Sequence, residues 1–388
     1  MDQAVKARWA VAALFMANGF TMGSFAPQIP LFLPRHDITE STLGMMLFAM
    51  GLGAVAAMLF SGRLIARLGL RRTLTIFSLA IIPVLPAVVL APSVPSLAVG
   101  LAVMGAAIGC MDVAMNAQAV EVERSLGRAI MSSSHGFWSL GGFAAAGLGG
   151  VVIAHGGAGA HALAAAALAG IVIALALRHI HASAPRPAEA PQQRLHLLPR
   201  DPALWLLGMI SLLAMVPEGA VLDWGALYIR TELGADIAAS GLAYSLFAGA
   251  MALMRFLGDG LRNRHGAVRT LRVSALIGAT GLMAAAAAPS APVAILAFGL
   301  AGLGVANMIP VIFSAAGNHP GAASGAAISF VTMLGYSGIL VAPTSIGFIA
   351  ETVGYRATFA GLACLLVMVA LNARRAGAAE PVRQGLPA

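Results

Sequence analysis

Twelve times in 388 residues this chain runs for roughly twenty residues with almost no charge. Coiled as a helix, a run of that length matches the hydrocarbon thickness of a bilayer. The runs lie near 8–33, 42–62, 73–92, 96–120, 131–154, 162–178, 203–229, 238–257, 271–289, 292–314, 324–349 and 356–373. Composition agrees: 59% of the residues are hydrophobic and 10% are charged, where soluble domains carry about a quarter charged residues. The predicted fold is all-α and membrane-spanning, with twelve transmembrane helices.

The runs fall into two sets of six. Between them, 179–202 is rich in Pro and Arg and shows no apolar periodicity, as expected of a linker. The domains are thus an N-terminal six-helix bundle (1–178), a linker (179–202), a C-terminal six-helix bundle (203–373) and a tail (374–388). His179, His181 and His196 in the linker are too irregularly spaced to suggest a metal site. Cys110 and Cys364 sit in apolar runs, so no disulfide framework is implied. No processing site follows the first run, which is expected to stay as the first span. Pro83 and Pro86 mark the expected kinks of the third span.

Basic residues fix the expected orientation. With both termini cytoplasmic, one side receives Lys6, Arg8, Arg63, Arg67, Arg71, Arg72, Arg124, Arg128, the linker arginines, Arg262, Arg264, Arg269, Arg272, Arg374, Arg375 and Arg383. The other side receives only Arg35, Arg230 and Arg356. This is the positive-inside pattern. It accounts for the net charge of +8 without nucleic acid as a partner.

The halves echo each other. Ser41-Thr-Leu-Gly-Met-Met-Leu-Phe-Ala answers Ser240-Gly-Leu-Ala-Tyr-Ser-Leu-Phe-Ala, and Leu64, Arg67, Gly69 and Arg72 answer Leu261, Arg264, Gly266 and Arg269. Gly109-Cys-Met-Asp112 lines up with Gly304-Val-Ala-Asn307. A parallel repeat of six helices belongs to transporters in which one half rocks against the other.

The loop Gly62-Arg63-Leu64-Ile65-Ala66-Arg67-Leu68-Gly69-Leu70-Arg71-Arg72 resembles the Gly-x-Leu-x-Asp-Arg-x-Gly-Arg-Arg signature of the major facilitator superfamily. The stretch Pro343 to Arg356, with Gly347, Glu351 and Gly354, is similar to that superfamily's passage between its last two spans. Asp112-Val-Ala-Met-Asn116, His135-Gly-Phe-Trp138-Ser139 and Glu218 with Asp223-Trp224 resemble the bacterial YbjJ-like branch, related to fucose-type sugar permeases. The resemblance implies two pseudo-symmetric six-helix bundles with a central cavity between them. It also implies a cytoplasmic gate at Gly62, Arg67, Gly69, Arg71 and Arg72. The signature's Asp is Ala66 here, and its repeat mate is Asn263. A latch therefore needs other partners. Arg255 and Asp259, four apart on one helix face, could form it or be an ordinary surface pair.

The chemistry lies in the few polar groups inside the spans. Glu218 and Asp223 interrupt an apolar run, at about 2.5–3.5 kcal/mol each near mid-membrane on insertion scales. A regular helix would point them about 140° apart, although Pro217 and Gly219 put that regularity in question. Asp112 and Asn116 share a face of the fourth span. A carboxylate withdrawn from water can load and release a proton near neutral pH. Asp112, Glu218, Asp223 and His135 are thus the candidates for proton coupling. The plainer alternatives are a hydrogen bond tying helices together for Asp112 and Glu218, the cap of an outer helix end for Glu218 and Asp223, and a helix-tying or interfacial place for His135. Asn18, Gln28, Asn116, Trp138, Trp224, Tyr244, Asn307 and Tyr336 are candidates for a substrate cavity, since amides bond hydroxyls and rings cover C–H faces.

No Lys or Arg lies in the middle of a run, which disfavours anionic cargo. The fifth run has Gly141 and Gly147-Leu148-Gly149-Gly150, reminiscent of the antiporter motif of drug exporters, but Ala146 replaces its central Pro. No metal-ligand spacing, phosphate loop or complete nucleophilic constellation argues for an enzyme or a cofactor. The expectation is a monomeric, proton-coupled transporter of a small neutral, hydroxyl-rich solute in the bacterial inner membrane, with protons, solute and lipid bilayer as its partners. The alternatives are a proton-driven exporter of cationic or amphipathic compounds and a transporter-like solute sensor.

Overall fold

A computed structural model of the protein describes residues 3–38, 40–180, 198–234, 237–320 and 322–379. Among them every regular element is helical. α1 (Gln3–Phe25) leads through a 3-10 turn (Ala26–Leu31) to the short α2 (Phe32–His36). There follow α3 (Glu40–Leu68), α4 (Leu70–Val89), α5 (Val94–Leu126) and α6 (Met131–Leu177). The second half holds α7 (Pro202–Leu233), α8 (Ile237–His265), α9 (Ala267–Ala286), α10 (Ala291–Val305), α11 (Met308–Gly317) and α12 (Ser324–Leu371), closed by a 3-10 turn (Ala373–Ala379).

Two of these helices are each two crossings. α6 breaks at Gly157 (φ 81°) and α12 at Gly354 (φ 80°). Both angles lie where a Cβ is strained and glycine is not. The tenth apolar run is divided into α10 and α11 at Ala306 and Asn307. The expected twelve crossings are thus all helical. α4 runs on through Pro83 and Pro86, and α7 is one helix through Pro217 and Gly219. Large apolar side chains such as Phe143, Leu296 and Leu371 are more than two-thirds exposed, as befits a surface that faces lipid.

The chain forms two compact units. Unit 1 takes residues 1–126, 134–198 and 322–330; unit 2 takes 127–133, 199–321 and 331–388. In unit 1, α5 is the central helix, packed against α3, α4 and α1, and it is buried almost continuously from Cys110 to Val120. In unit 2, α10 holds the same place among α8, α9 and α7.

The repeat has one spacing. α3 and α8 begin and end 197 residues apart, α4 and α9 do the same, and α5 and α10 start at that interval. Packing follows it. A Cβ on Gly105 would lie 1.9 Å from the Met50 carbonyl oxygen, and one on Gly302 would lie 2.3 Å from that of Phe247. Only glycine lets these backbones touch. Of the three sequence matches, the Leu64 loop has this spacing. The Ser41 match is two residues long and the Asp112 match two short, so the counterpart of Asp112 is Ile309 and not Asn307. Runs of Ala, Gly and Leu on both helices make such slips easy to miss.

Candidate translocation site

In unit 1 the polar residues converge on α5 and α6. Asn116 Nδ2 donates to the Asp112 carbonyl at 2.9 Å and to Asp112 Oδ1 at 3.3 Å. Asn116 Oδ1 lies 3.1 Å from His135 Nε2 on α6. With its amide nitrogen engaged by Asp112, Asn116 offers His135 an acceptor, which sets the proton of that contact on Nε2. The imidazole stands edge-on to Phe15, ring centres 5.0 Å apart. Asp112 is 5% exposed, and its Oδ2 is buried without a hydrogen-bond partner. Such an oxygen costs about 1–3 kcal/mol if nothing ever meets it.

One turn further along α6, Trp138 Nε1 donates to Asn18 Oδ1 of α1 at 3.0 Å, leaving Asn18 Nδ2 buried and unpartnered. Gln28 takes a separate place. Its Nε2 donates to the Ala158 carbonyl at 3.1 Å and lies 2.7 Å from His161 Nδ1, just past the α6 break. Gln118, which the sequence reading passed over, is fully buried on α5 with neither amide atom bonded. Nothing in its composition sets it apart from any other Gln in a helix.

In unit 2, Glu218 of α7 is ion-paired with Arg255 of α8 at 3.2 Å. Arg255 had been placed at the end of an apolar run that stops at 257. The helix continues to His265, and Arg255 is 5% exposed. The expectation that no cation stands inside the spans is thereby corrected: this one is buried and balanced by a carboxylate.

One turn along α8, Asp259 caps a helix. Its Oδ1 accepts the Ser132 N–H and its Oδ2 the Ser133 N–H, each at 2.8 Å, at the first turn of α6. Those N–H groups have no partner within their own helix, and the positive end of the helix dipole favours the charge. Asn263 Oδ1 accepts the Ala129 N–H at 2.8 Å, and Ser132 Oγ donates to Asn307 Oδ1 at 2.9 Å. Asn307 fits because residue 258 is glycine; a Cβ there would lie 1.8 Å from its Oδ1. At the 197-residue interval Asp259 corresponds to Gly62, and unit 1 is built differently there. Gly62 packs on Ala326, and Ser329 Oγ donates to the Met58 carbonyl.

The remaining expected residues are more scattered. Arg67, Gly69, Arg71 and Arg72 are exposed around the α3–α4 turn, where Gly69 has φ 82°. Trp224 is half-buried beside Tyr355, ring centres 6.1 Å apart, with Nε1 unpartnered. Tyr336 is half-buried on α12. The side chains of Asp223 and Tyr244 lie outside the described residues. Among the described residues, no three His, Cys, Asp or Glu side chains come together as a metal site.

The profile of the Major Facilitator Superfamily matches residues 11–258 and 224–385. The chain belongs to that superfamily. An uncharacterized MFS-type transporter of Yersinia pestis is 34% identical over 361 residues, covering 93% of each chain. The superfamily fold is matched by the E. coli fucose:proton symporter FucP, with a TM-score of 0.78 at 16% identity over 96% of this chain and 99% of that one. The proton:xylose symporter XylE gives 0.75 at 14% identity over 95% and 94%. At those identities the likeness shows the fold. As a member of the superfamily this multi-pass membrane protein is a transporter and not an enzyme.

Proposed function

We propose that the chain is a proton-coupled secondary transporter that carries a small neutral, hydroxyl-rich solute by alternating access. The observation that carries this reading is the line Asp112–Asn116–His135 in unit 1. A buried carboxylate keeps one oxygen unbonded and is joined through an amide to an imidazole. That oxygen can take a proton or a solute hydroxyl, and the imidazole offers a second titrating group in contact with the same amide. In the same unit Asn18 Nδ2 is a buried donor with no protein partner, as a hydroxyl-bearing solute requires. The Glu218–Arg255 pair is internally neutral, so it presents no spare charge to an ionic cargo, and this counts against a cationic one. That two fold neighbours are described as proton symporters of fucose and xylose is consistent with the reading.

The asymmetric basic residues support an inner-membrane orientation with both termini cytoplasmic. At the cytoplasmic end, Asp259 on the α6 N-terminus takes the part that the superfamily gives to the Asp replaced by Ala66. The domains proposed are the bundles 1–178 and 203–373, with the linker 179–202 and the tail 374–388.

The deciding experiment is thermal stabilisation of the purified protein across sugars, polyols and lipophilic cations. A ligand at a hundred times its dissociation constant adds roughly 2.7 kcal/mol. A sugar or polyol is expected to stabilise the protein, and Asn18→Ala to abolish the effect. Stabilisation by lipophilic cations alone would overturn the reading in favour of an exporter.

A further inference from the structure

At the Arg-rich end of unit 2, α9 and the end of α12 flank an open groove of about 320 Å³ lined by Arg272, Leu276, Val367, Ala370, Leu371 and Arg374. Its two chemistries are separated. Leu276, Val367 and Leu371 are exposed apolar side chains on the flank of the helices. Arg272 stands six residues into α9 and Arg374 just past the end of α12. Arg272 is held in place because its Nε donates to the Ala370 carbonyl at 3.4 Å, one of the last acceptors of α12. That contact leaves the two terminal nitrogens of the guanidinium to point elsewhere. Among the described residues, no acidic side chain pairs with Arg272 or Arg374.

Positive charge is in excess here: from Asp259 to Glu380 the sequence carries seven arginines against three acidic residues, Asp259, Glu351 and Glu380. Asp259 is spent on the first turn of α6. Glu351 precedes the break at Gly354, a full helical segment from Arg374. At 1.5 Å per residue that separation is roughly 30 Å, several times the screening length of about 8 Å in physiological salt. Arg264, Arg269 and Arg375 are exposed at the same end of the unit.

We infer that this groove binds an anionic phospholipid, with the phosphate between Arg272 and Arg374 and an acyl chain along Leu276, Val367 and Leu371. A guanidinium pairs with phosphate through two parallel N–H bonds, and two guanidinia above an apolar wall match a molecule that carries charge and hydrocarbon together. A free anion would use the arginines and leave the wall idle. A zwitterionic lipid would bring its own cation against them. The site lies outside the polar groups assigned to transport and does not depend on the nature of the cargo.

The test uses the full-length protein in a neutral detergent, titrated with dioctanoyl phosphatidylglycerol, dioctanoyl phosphatidylcholine or inorganic phosphate, with the thermal midpoint as readout. Phosphatidylglycerol is expected to raise the midpoint. Each basic residue near a membrane surface contributes about fivefold to the binding of an acidic lipid. The half-saturating concentration should therefore rise about fivefold in Arg374→Gln and about thirtyfold in the double variant with Arg272→Gln. Arg374 has no described partner to lose, so its variant keeps the test sound if removal of Arg272 unsettles the end of α12. Equal stabilisation by phosphatidylcholine or by phosphate alone would overturn the inference. So would an undiminished response of both Arg374→Gln and the double variant.

Discussion

The guanidinium of Arg255 lies 3.2 Å from the carboxylate of Glu218, and each side chain is less than one-fifth exposed. Either charge alone would be stranded in a poorly solvated place. Replacing one partner of such a pair typically costs about 3–5 kcal/mol, whereas replacing both with groups of similar shape can be nearly neutral. Arg255→Gln is expected to lower the thermal midpoint markedly, and Glu218→Gln in the same chain to restore most of it. If the double variant is as unstable as the sum of the singles, the two charges do not compensate each other.

Asp112 is expected to govern coupling more than folding. In Asp112→Asn the buried oxygen remains an acceptor but no longer exchanges a proton, so accumulation of solute against its gradient should fail while the fold survives. Uptake into vesicles with and without a proton gradient separates the two effects. An Asn variant that still concentrates solute would remove Asp112 from the coupling path.

Asn116 joins Asp112 to His135. Asn116→Leu fills the space without the bonds and should leave both His135 Nε2 and Asp112 Oδ1 without this partner. Uphill uptake is expected to fall at least tenfold, about 1.4 kcal/mol in the limiting barrier. Unchanged uptake would mean that the carboxylate and the imidazole work independently.

Asp259 holds two amide protons at once. An Asn there accepts one and turns its own N–H₂ toward the other, so Asp259→Asn should weaken the cap by about 0.5–2 kcal/mol. Hydrogen exchange resolved to residues 127–137 measures this directly, with faster exchange at Ser132 and Ser133 expected. Exchange at the wild-type rate would show that the carboxylate is dispensable to that turn.

Much of this architecture could be read in the residues, and what escaped did so for physical reasons. Apolar runs of membrane length located the crossings, because helix length and hydrocarbon thickness are the same constraint seen twice. Asp112, Asn116 and His135 could be proposed because polar groups are rare there, and helical spacing puts the first two on one face. Arg255 was misjudged because hydropathy falls at 257 while hydrogen bonding continues to His265. The role of Asp259 was out of reach for another reason. Its partners are backbone N–H groups of residues 132 and 133, which any sequence could supply, and only tertiary packing brings them near α8. The repeat was visible, but its register was settled by which glycine meets which carbonyl.

That register yields a prediction of its own. Gly105 and Gly302 face carbonyls at equivalent places, and a methyl group at either would overlap an oxygen. Gly105→Ala and Gly302→Ala should each destabilise the protein by about 1–3 kcal/mol, the usual cost of overpacking. Thermal midpoints of the two single variants check this, and an unchanged midpoint in either would refute the close approach in that unit.

The common interval has a meaning for the turns as well as for the helices. From Glu40 to Val94, and again from Ile237 to Ala291, three helix starts and two connections keep step without a residue gained or lost. Each residue of a helix advances its side chains by about 100°. One residue added at Gly69 or Gly266 would therefore swing the whole of α4 or α9 by more than a quarter of a revolution, turning lipid-facing surface inward. The short connections act as phase keys for the helices that follow them. Their length sets the phase of the core, and Ala91 and Ala288, at equivalent places in the second connection of each half, are themselves buried.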